Sequence, residues 1–225
     1  MLSLNYRKGV GYGRAFRRCE GSRRRCGWEG ATEYEDVKRA RIWMDDSLAP
    51  SAVAVHGLSY GGLNCLQALS RDSPSYVAGA CSAPVFNWVS AMGHSQPFRA
   101  DGFETAGGFR QLPVGPEPDL AGPSYAKSAE ANLAGAWLSS PAAFMANFSA
   151  PLLLLHGDAD ANVYVQESRG VLRALRRRKG GERNVVETFV LPDETHGFAT
   201  HEHQVLAAEA TYDFLARYLP LHSRP

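Results

Sequence analysis

Short apolar runs alternate along the chain with segments whose apolar residues recur every three or four positions. Four of these runs have the length and composition of buried strands, at residues 52–56, 76–81, 151–156 and 185–191. Strands that alternate with helices favour a mostly parallel sheet. The pattern therefore predicts an α/β fold with helices on both faces of the sheet.

Four helices are expected between and after these strands. The first begins at Thr32, because Thr32 and Glu35 fit a capping box. Two more follow the first and third strands, at residues 63–69 and 168–175. The closing helix repeats apolar residues at spacings of three and four, which predicts a buried face made of Val205, Ala208, Tyr212, Leu215 and Leu219.

Residues from about 93 to 136 break this regularity, being rich in Gly, Pro, Ser and Ala. We expect an irregular, lid-like excursion there. The 225 residues are otherwise enough for one domain with a sizeable core, so a single domain over residues 1–225 is predicted. The net charge of +1 gives no electrostatic reason to expect a nucleic acid or an acidic membrane surface as a partner.

The four cysteines are Cys19, Cys26, Cys65 and Cys81, and none has the spacing of a metal site. Cys65 and Cys81 lie in apolar stretches and are expected to be core residues, so no disulfide framework is predicted. A reducing compartment, the cytoplasm, is then expected. No stretch has membrane-spanning length, and the apolar run at Met1 is too short for a secretory signal.

A serine flanked by glycines follows the first strand, in the sequence Gly57-Leu58-Ser59-Tyr60-Gly61. This is the pattern of a nucleophile elbow, a sharp strand-to-helix turn that exposes a serine hydroxyl at the top of a sheet. Small neighbours are needed because larger ones would collide within the turn. Ser59 is therefore the predicted nucleophile, and the amide of Tyr60, at the start of the helix, is the predicted oxyanion-hole donor.

Such a serine needs a base and an acid later in the chain, in the order Ser, Asp or Glu, His. His196 follows the last strand and is the predicted base. Asp158 and Asp160 both follow the third strand, and spacing alone does not choose between them. No metal site is expected at His201-Glu202-His203, because two histidines two positions apart on a helix are poorly placed to bind the same ion. Structural or solvent-facing roles are expected for the other candidate histidines, His56, His156, His201 and His203.

Several motifs together resemble the catalytic domain of the prolyl oligopeptidase family, which includes dipeptidyl peptidase IV and acylaminoacyl-peptidase branches. They are Asn5-Tyr6-Arg7, Gly11-Tyr12-Gly13, Glu33-Tyr34-Glu35-Asp36, Ser59-Tyr60-Gly61-Gly62, residues 83–88, Ser140-Pro141, residues 156–163 and His196-Gly197. The similarity runs from Asn5 to about Leu219. It implies an α/β-hydrolase fold and a serine peptidase that needs no cofactor, acts on peptides and forms an acyl-enzyme.

The resemblance also implies roles for single residues. The family's acid corresponds to Asp160, its substrate-backbone contact to Asn162, and part of its primary specificity pocket to Trp88. Ala91 and Ser95 stand near the place where the dipeptidyl branch has paired tyrosines. A specificity broader than proline is therefore expected.

Parts of the family pattern have no counterpart here, namely the β-propeller, the first strands of the hydrolase domain and the loop with the second oxyanion donor. Met1–Asn5 resembles only the end of the fourth strand. The loss of the third strand is expected to expose an edge of the sheet. Two alternatives to a peptidase follow: an α/β-hydrolase esterase, or a catalytically impaired fragment that serves as an interaction module.

Overall fold

A computed structural model of the chain describes residues 1–7, 9–18, 32–89, 134–178 and 185–220. Its helices and strands are, in chain order, α1 (Gly13–Arg18), α2 (Thr32–Leu48), β1 (Ala54–Leu58), α3 (Tyr60–Arg71), β2 (Ala78–Ser82), β3 (Leu152–Gly157), α4 (Gln166–Arg177), β4 (Val186–Leu191) and α5 (His201–Ala216). Apart from residues 134–136, the lid-like excursion expected at about 93–136 lies outside the described residues. That excursion and the single-domain organisation stay predictions.

The four strands form one parallel sheet in the order β1-β2-β3-β4, which confirms the predicted α/β architecture. The register aligns Leu58 with Ser82, Ser82 with Leu155, and Gly157 with Leu191. The carboxyl ends of all four strands therefore meet along one edge of the sheet. In open α/β sheets this edge is where ligands bind.

Helices cover both faces of the sheet, and the leucine run of β3 contributes core side chains to both faces. Leu152 and Leu154 pack with residues of α2, α3 and α4, while Leu153 and Leu155 pack with α5. All four leucine side chains are buried. Alternate residues of a strand face opposite sides, so an unbroken apolar run is what a strand covered on both faces requires.

The buried face of α5 agrees with the predicted one at Leu215, which packs partly buried against the core, and differs from it at other positions. Ala207 and Phe214 are buried, whereas Val205 and Tyr212 are 40% and 65% exposed and Ala208 is exposed. The physical reason lies in side-chain volume, because α5 packs against a β2 face made of alanines. A small residue lets the helix approach closely and a large aromatic ring fills the remaining space.

The N-terminal residues form no strand, contrary to the expectation for Met1–Asn5. The Arg7 guanidinium and backbone amide bind the Asp36 carboxylate, with Arg7 Nε 2.9 Å from each carboxylate oxygen. The Tyr6 ring stacks on Tyr60. These contacts direct the segment toward α2 and the elbow. Among the described residues β1 pairs only with β2, so its outer edge has no strand partner there.

A disulfide joins Cys65 of α3 to Cys81 of β2, so the expectation of unlinked thiols at these positions is wrong. Both residues are fully buried, as expected for core positions. Packing of α3 on β2 brings their Cα atoms to 5.7 Å, a separation that a disulfide spans. A spacing of sixteen residues gives no sign of this proximity in the sequence.

Candidate active site

Ser59 occupies a one-residue turn between the end of β1 and the start of α3. Its backbone has φ of 59° and ψ of −115°, a conformation that residues with a side chain rarely adopt. The Ser59 amide donates to the Ser82 carbonyl at 2.9 Å, and the Leu63 amide donates to the Ser59 carbonyl at 2.9 Å. The turn is thus tied to β2 on one side and to α3 on the other.

Two glycines of this turn are required by close approach of backbone atoms. A Cβ on Gly57 would lie 2.3 Å from the Gly61 carbonyl oxygen, and a Cβ on Gly62 would lie 2.5 Å from the Ser82 carbonyl oxygen. Both distances are well inside van der Waals contact. Any larger residue would push α3 away from the strand ends and move the Ser59 hydroxyl.

Ser59, Asp160 and His196 meet at the carboxyl edge of the sheet. His196 Nε2 lies 2.7 Å from Ser59 Oγ, and His196 Nδ1 lies 2.7 Å from Asp160 Oδ2. Asp158 does not approach His196 in this way, and its carboxylate accepts the Asp193 amide at 2.7 Å. The geometry therefore favours Asp160 over Asp158, the choice that spacing left open.

The Asp160 carboxylate is buried and surrounded by donors. Its Oδ1 accepts the amides of Asn162 and Val163 at 2.8 and 2.9 Å, while Oδ2 faces His196 and lies 3.4 Å from His156 Nε2. Burial by itself raises the pKa of Asp160, but the hydrogen bonds from these two histidines and two amides outweigh it and hold the pKa well below its usual range. Asp160 is an ionised, fixed partner for an imidazolium.

The loop that carries His196 is held by Glu194, a residue that the sequence did not single out. The buried Glu194 carboxylate accepts the Ala199 amide, the amide and hydroxyl of Thr200, and a hydrogen bond from His203 Nδ1 at 2.6 Å. Hydrogen bonds from Thr200, and then from His203, lower the pKa of Glu194 to about 2. Its position two residues before the predicted base is the only sequence signal that marks it.

A small apolar cluster with two aromatic rings adjoins the serine. Leu63, Val85 and Val163 are its buried residues, and Tyr60 and Trp88 pack against them with ring centroids 6.3 Å apart. The predicted pocket residue Trp88 is thus beside the elbow.

A buried acidic side chain, Glu33, lies near Tyr60. Burial raises the pKa of Tyr60 well above its usual value, and Glu33 raises it further through its charge and a hydrogen bond. Glu33 is itself fully buried. The Tyr60 phenol therefore stays protonated and able to donate.

The remaining candidate residues have varied surroundings. Asn162 is exposed, and its backbone amide binds Asp160. Tyr60 is the first residue of α3, so its amide lies at a helix N-terminus beside Ser59. His156 is fully buried between Ser168 and the Val163 carbonyl, His56 is exposed on β1, and His201 begins α5.

A family model matches residues 1–111 and 120–222, which is nearly the whole chain, and that model is of the prolyl oligopeptidase family. The chain belongs to the prolyl oligopeptidase family. The resemblance carried by its motifs is thereby confirmed. So is the expected α/β-hydrolase fold, which the parallel sheet and the solved structures below support.

Curated members of the prolyl oligopeptidase family align with most of the chain. Dipeptidyl aminopeptidase BIII of Pseudoxanthomonas mexicana is 27% identical over 230 residues, covering 100% of this chain and 30% of its own. Acylamino-acid-releasing enzyme 2 of Oryza sativa subsp. japonica is 28% identical, covering 87% of this chain and 23% of its own. The chain thus spans less than a third of the length of these relatives.

Solved structures of longer peptidases share the fold. A puromycin-hydrolyzing peptidase of Mycobacterium tuberculosis superposes with a TM-score of 0.72 at 23% identity, covering 98% of this chain and 30% of its own. Acylaminoacyl peptidase of Pyrococcus horikoshii superposes with a TM-score of 0.67 at 18% identity, covering 98% of this chain and 32% of its own. At these identities the likeness concerns the fold.

Proposed function

We propose that this chain is a serine-type peptidase of the prolyl oligopeptidase family, with Ser59 as nucleophile, His196 as general base and then general acid, and Asp160 as orienting acid. The observation that carries the proposal is the continuous hydrogen-bonded line from Ser59 Oγ through the His196 ring to Asp160 Oδ2. Three residues from three separate strand ends make this line in the order that the reaction uses.

The reaction proceeds in two balanced steps. Ser59 Oγ attacks the scissile carbonyl carbon while His196 Nε2 takes the hydroxyl proton, and the ionised Asp160 stabilises the resulting imidazolium. His196 returns the proton to the leaving amine as the C–N bond breaks, which leaves an acyl-enzyme. A water molecule then attacks the acyl carbon while His196 takes its proton. His196 returns that proton to Ser59 Oγ as the acyl C–Oγ bond breaks, which releases the carboxylic acid product and restores the free serine.

The developing oxyanion is the point at which donors matter most. The Tyr60 amide stands next to Ser59 at the first position of α3, where the helix dipole favours negative charge. We assign it as one oxyanion donor. Loss of one such donor typically costs about 2.7–4 kcal/mol of transition-state stabilisation, so the activity of the isolated chain depends strongly on a second donor.

The aromatic surface of Tyr60 and Trp88 beside Ser59 favours peptides with an apolar side chain next to the scissile bond. Leu63, Val85 and Val163 pack behind these two rings as buried apolar neighbours. We propose a specificity that includes acylated or free peptides with apolar residues and is not restricted to proline. Asn162, exposed on the loop of Asp160, is the proposed contact to the substrate backbone.

A fluorophosphonate probe tests the nucleophile, because it reacts covalently only with an activated serine. The parent chain is expected to label and Ser59→Ala to lose all labelling. Ser70→Ala, which removes a buried serine hydroxyl further along α3, is the matched control and should label like the parent. Equal labelling of Ser59→Ala and the parent would overturn the assignment.

Substrate turnover separates peptidase from esterase. N-acetyl-aminoacyl peptides, X-Pro peptides and a simple ester are compared at equal enzyme concentration. Cleavage of the first class with an apolar residue is expected. Turnover of the ester alone would show that the chain is an esterase and not a peptidase. A folded chain that neither labels with the probe nor turns over any substrate would be a catalytically impaired domain.

The cellular location stays a prediction. No helix within the described residues is both long and apolar enough to cross a bilayer. The prediction of the cytoplasm depends on unlinked cysteines, and the Cys65–Cys81 bond removes that support. Electrophoresis of the alkylated protein from its native host, with and without prior reduction, measures whether the bond is present there.

A further inference from the structure

Two adjacent polar residues on the first turn of α4 are buried, although the sequence singles out neither as part of the site. Glu167 is 4% and Ser168 is 1% exposed. Polar side chains are buried at a cost unless partners satisfy them, so the partners of these two show what the turn does. They point to different parts of the active site.

Ser168 reaches the catalytic acid through His156. Ser168 Oγ lies 2.7 Å from His156 Nδ1, and His156 Nε2 lies 2.8 Å from the Val163 carbonyl oxygen. A carbonyl only accepts, so Nε2 carries a proton, and in the neutral ring the Ser168 hydroxyl donates to Nδ1. The same Nε2 lies 3.4 Å from Asp160 Oδ2. Ser168 therefore fixes the tautomer of a ring that faces the carboxylate oxygen used by His196.

Glu167 holds the segment that precedes Trp88 through two backbone amides. Glu167 Oε2 accepts the amides of Phe86 and Asn87 at 2.9 and 2.7 Å. These two residues directly precede Trp88, so the carboxylate holds the loop from which that ring projects. Close packing tightens the arrangement, since a Cβ on Gly170 would lie 2.9 Å from the Phe86 ring.

We propose that the first turn of α4 positions both halves of the active site. Ser168 acts on Asp160 through His156, and Glu167 acts on Trp88, the predicted specificity residue, through the loop that precedes it. Neither residue touches the reacting atoms, so both are positioning residues. This inference rests on the proposed peptidase function. In physical terms, one helical turn sets the distance between Asp160 and Trp88.

The two branches have opposite kinetic signatures. Ser168→Ala leaves His156 Nδ1 without its partner and loosens Asp160, so kcat is expected to fall about 10-fold with KM unchanged, on every substrate. Glu167→Ala releases the Trp88 loop, so KM is expected to rise about 10-fold for a substrate with a large apolar side chain, with little change for a glycine substrate. Glu167→Gln keeps one acceptor oxygen and should recover part of that loss.

The experiment measures kcat and KM of the full chain on both substrates, beside Ser73→Ala. The Ser73 hydroxyl is also buried and accepts the Ser149 and Ala150 amides, but it lies at the opposite edge of the sheet. Ser73→Ala controls for lost stability and should keep both constants. Equal effects of Ser168→Ala and Glu167→Ala on kcat and KM, or effects no larger than those of Ser73→Ala, would overturn the inference.

Amide hydrogen exchange tests the positioning role independently of activity. If the parent turns over no substrate, only the proposed function is refuted, and the exchange measurement still decides this inference. Glu167→Ala should speed exchange of the amides at residues 86–87, and Ser168→Ala should speed exchange at residues 162–163. Each variant should leave the other pair protected. Unchanged exchange at both pairs would show that the first turn of α4 holds neither loop.

Discussion

At Gly157 the end of β3 lies close to the backbone of the loop that carries His196. Gly157 ends β3 and lies three residues before Asp160. A Cβ built on Gly157 would lie 2.1 Å from the Glu194 carbonyl oxygen and 2.7 Å from the Thr195 carbonyl oxygen. Both contacts are with backbone, so no flexible side chain can move aside. Gly157→Ala therefore displaces the segment that carries His196.

The size of the displacement follows from these distances. Ordinary van der Waals contact for a Cβ begins at 3.4 Å, so the Glu194 carbonyl must retreat by 3.4 − 2.1, which is 1.3 Å. A misplacement of about 1 Å in a catalytic group can lower the rate about 100-fold. We expect Gly157→Ala to lower kcat/KM by about 100-fold or more and to destabilise the fold by about 1–3 kcal/mol through overpacking.

The assay is the rate of fluorophosphonate labelling of Ser59, with thermal unfolding recorded on the same samples. Gly197→Ala is the matched control, because it adds the same methyl group beside His196 and a Cβ there meets nothing within 4 Å. It should label far faster than Gly157→Ala. If a folded Gly157→Ala labels as fast as Gly197→Ala, the close approach does not set the position of His196.

Three further predictions concern other parts of the molecule. Asp160→Asn should lower kcat about 10,000-fold, because it removes the charge that orients the base, whereas Asp158→Asn should stay within a few-fold of the parent. The pKa of Glu194 is lowered from 4.5 to about 2, so its stabilisation is complete above pH 4.5 and is lost as the pH falls toward 2. Acid titration should thus lower the free energy of unfolding of the parent more steeply in that window than that of Glu194→Gln; parallel curves would contradict this. Reduction should lower the free energy of unfolding by about 3 kcal/mol, as expected for a loop of this length. The Cys65→Ala/Cys81→Ala double variant should not respond to the reductant, and an equal response in both proteins would place the effect elsewhere.

Periodicity located the four described strands and the helices from α2 to α5, because burial of one or both faces leaves a strong pattern in the sequence, but it did not indicate α1. The leucines of β3 fill both cores, and no polar residue interrupts them. The prediction for the buried face of α5 was wrong at Val205, Ala208 and Tyr212, because Ala207 and Phe214 carry the same spacing signal as these exposed neighbours. Only the alanine-lined surface of β2 decides between them, and that surface exists only in the folded molecule.

Motif order anticipated that Ser59, His196 and an aspartate after the third strand would meet, since a parallel sheet brings its strand ends to one edge, and the family resemblance singled out Asp160. Glu194, Ser168 and the Cys65–Cys81 bond were out of reach of the sequence. Each of them depends on a partner residue that comes close only when helices and strands pack together, and no short sequence spacing marks such a pair. Side chains that support a site generally lack the distinctive local signal that the reacting groups possess.

The hydrogen bond between Ser59 and His196 joins distant parts of the chain, since the two residues are 137 positions apart. Contacts between residues so far apart form late in folding, after local helices such as α3. The nucleophile gains its base only when β4 and the loop after it have docked. In a refolding sample, labelling of Ser59 would therefore lag behind the recovery of helix, and it would report the arrival of the last strand.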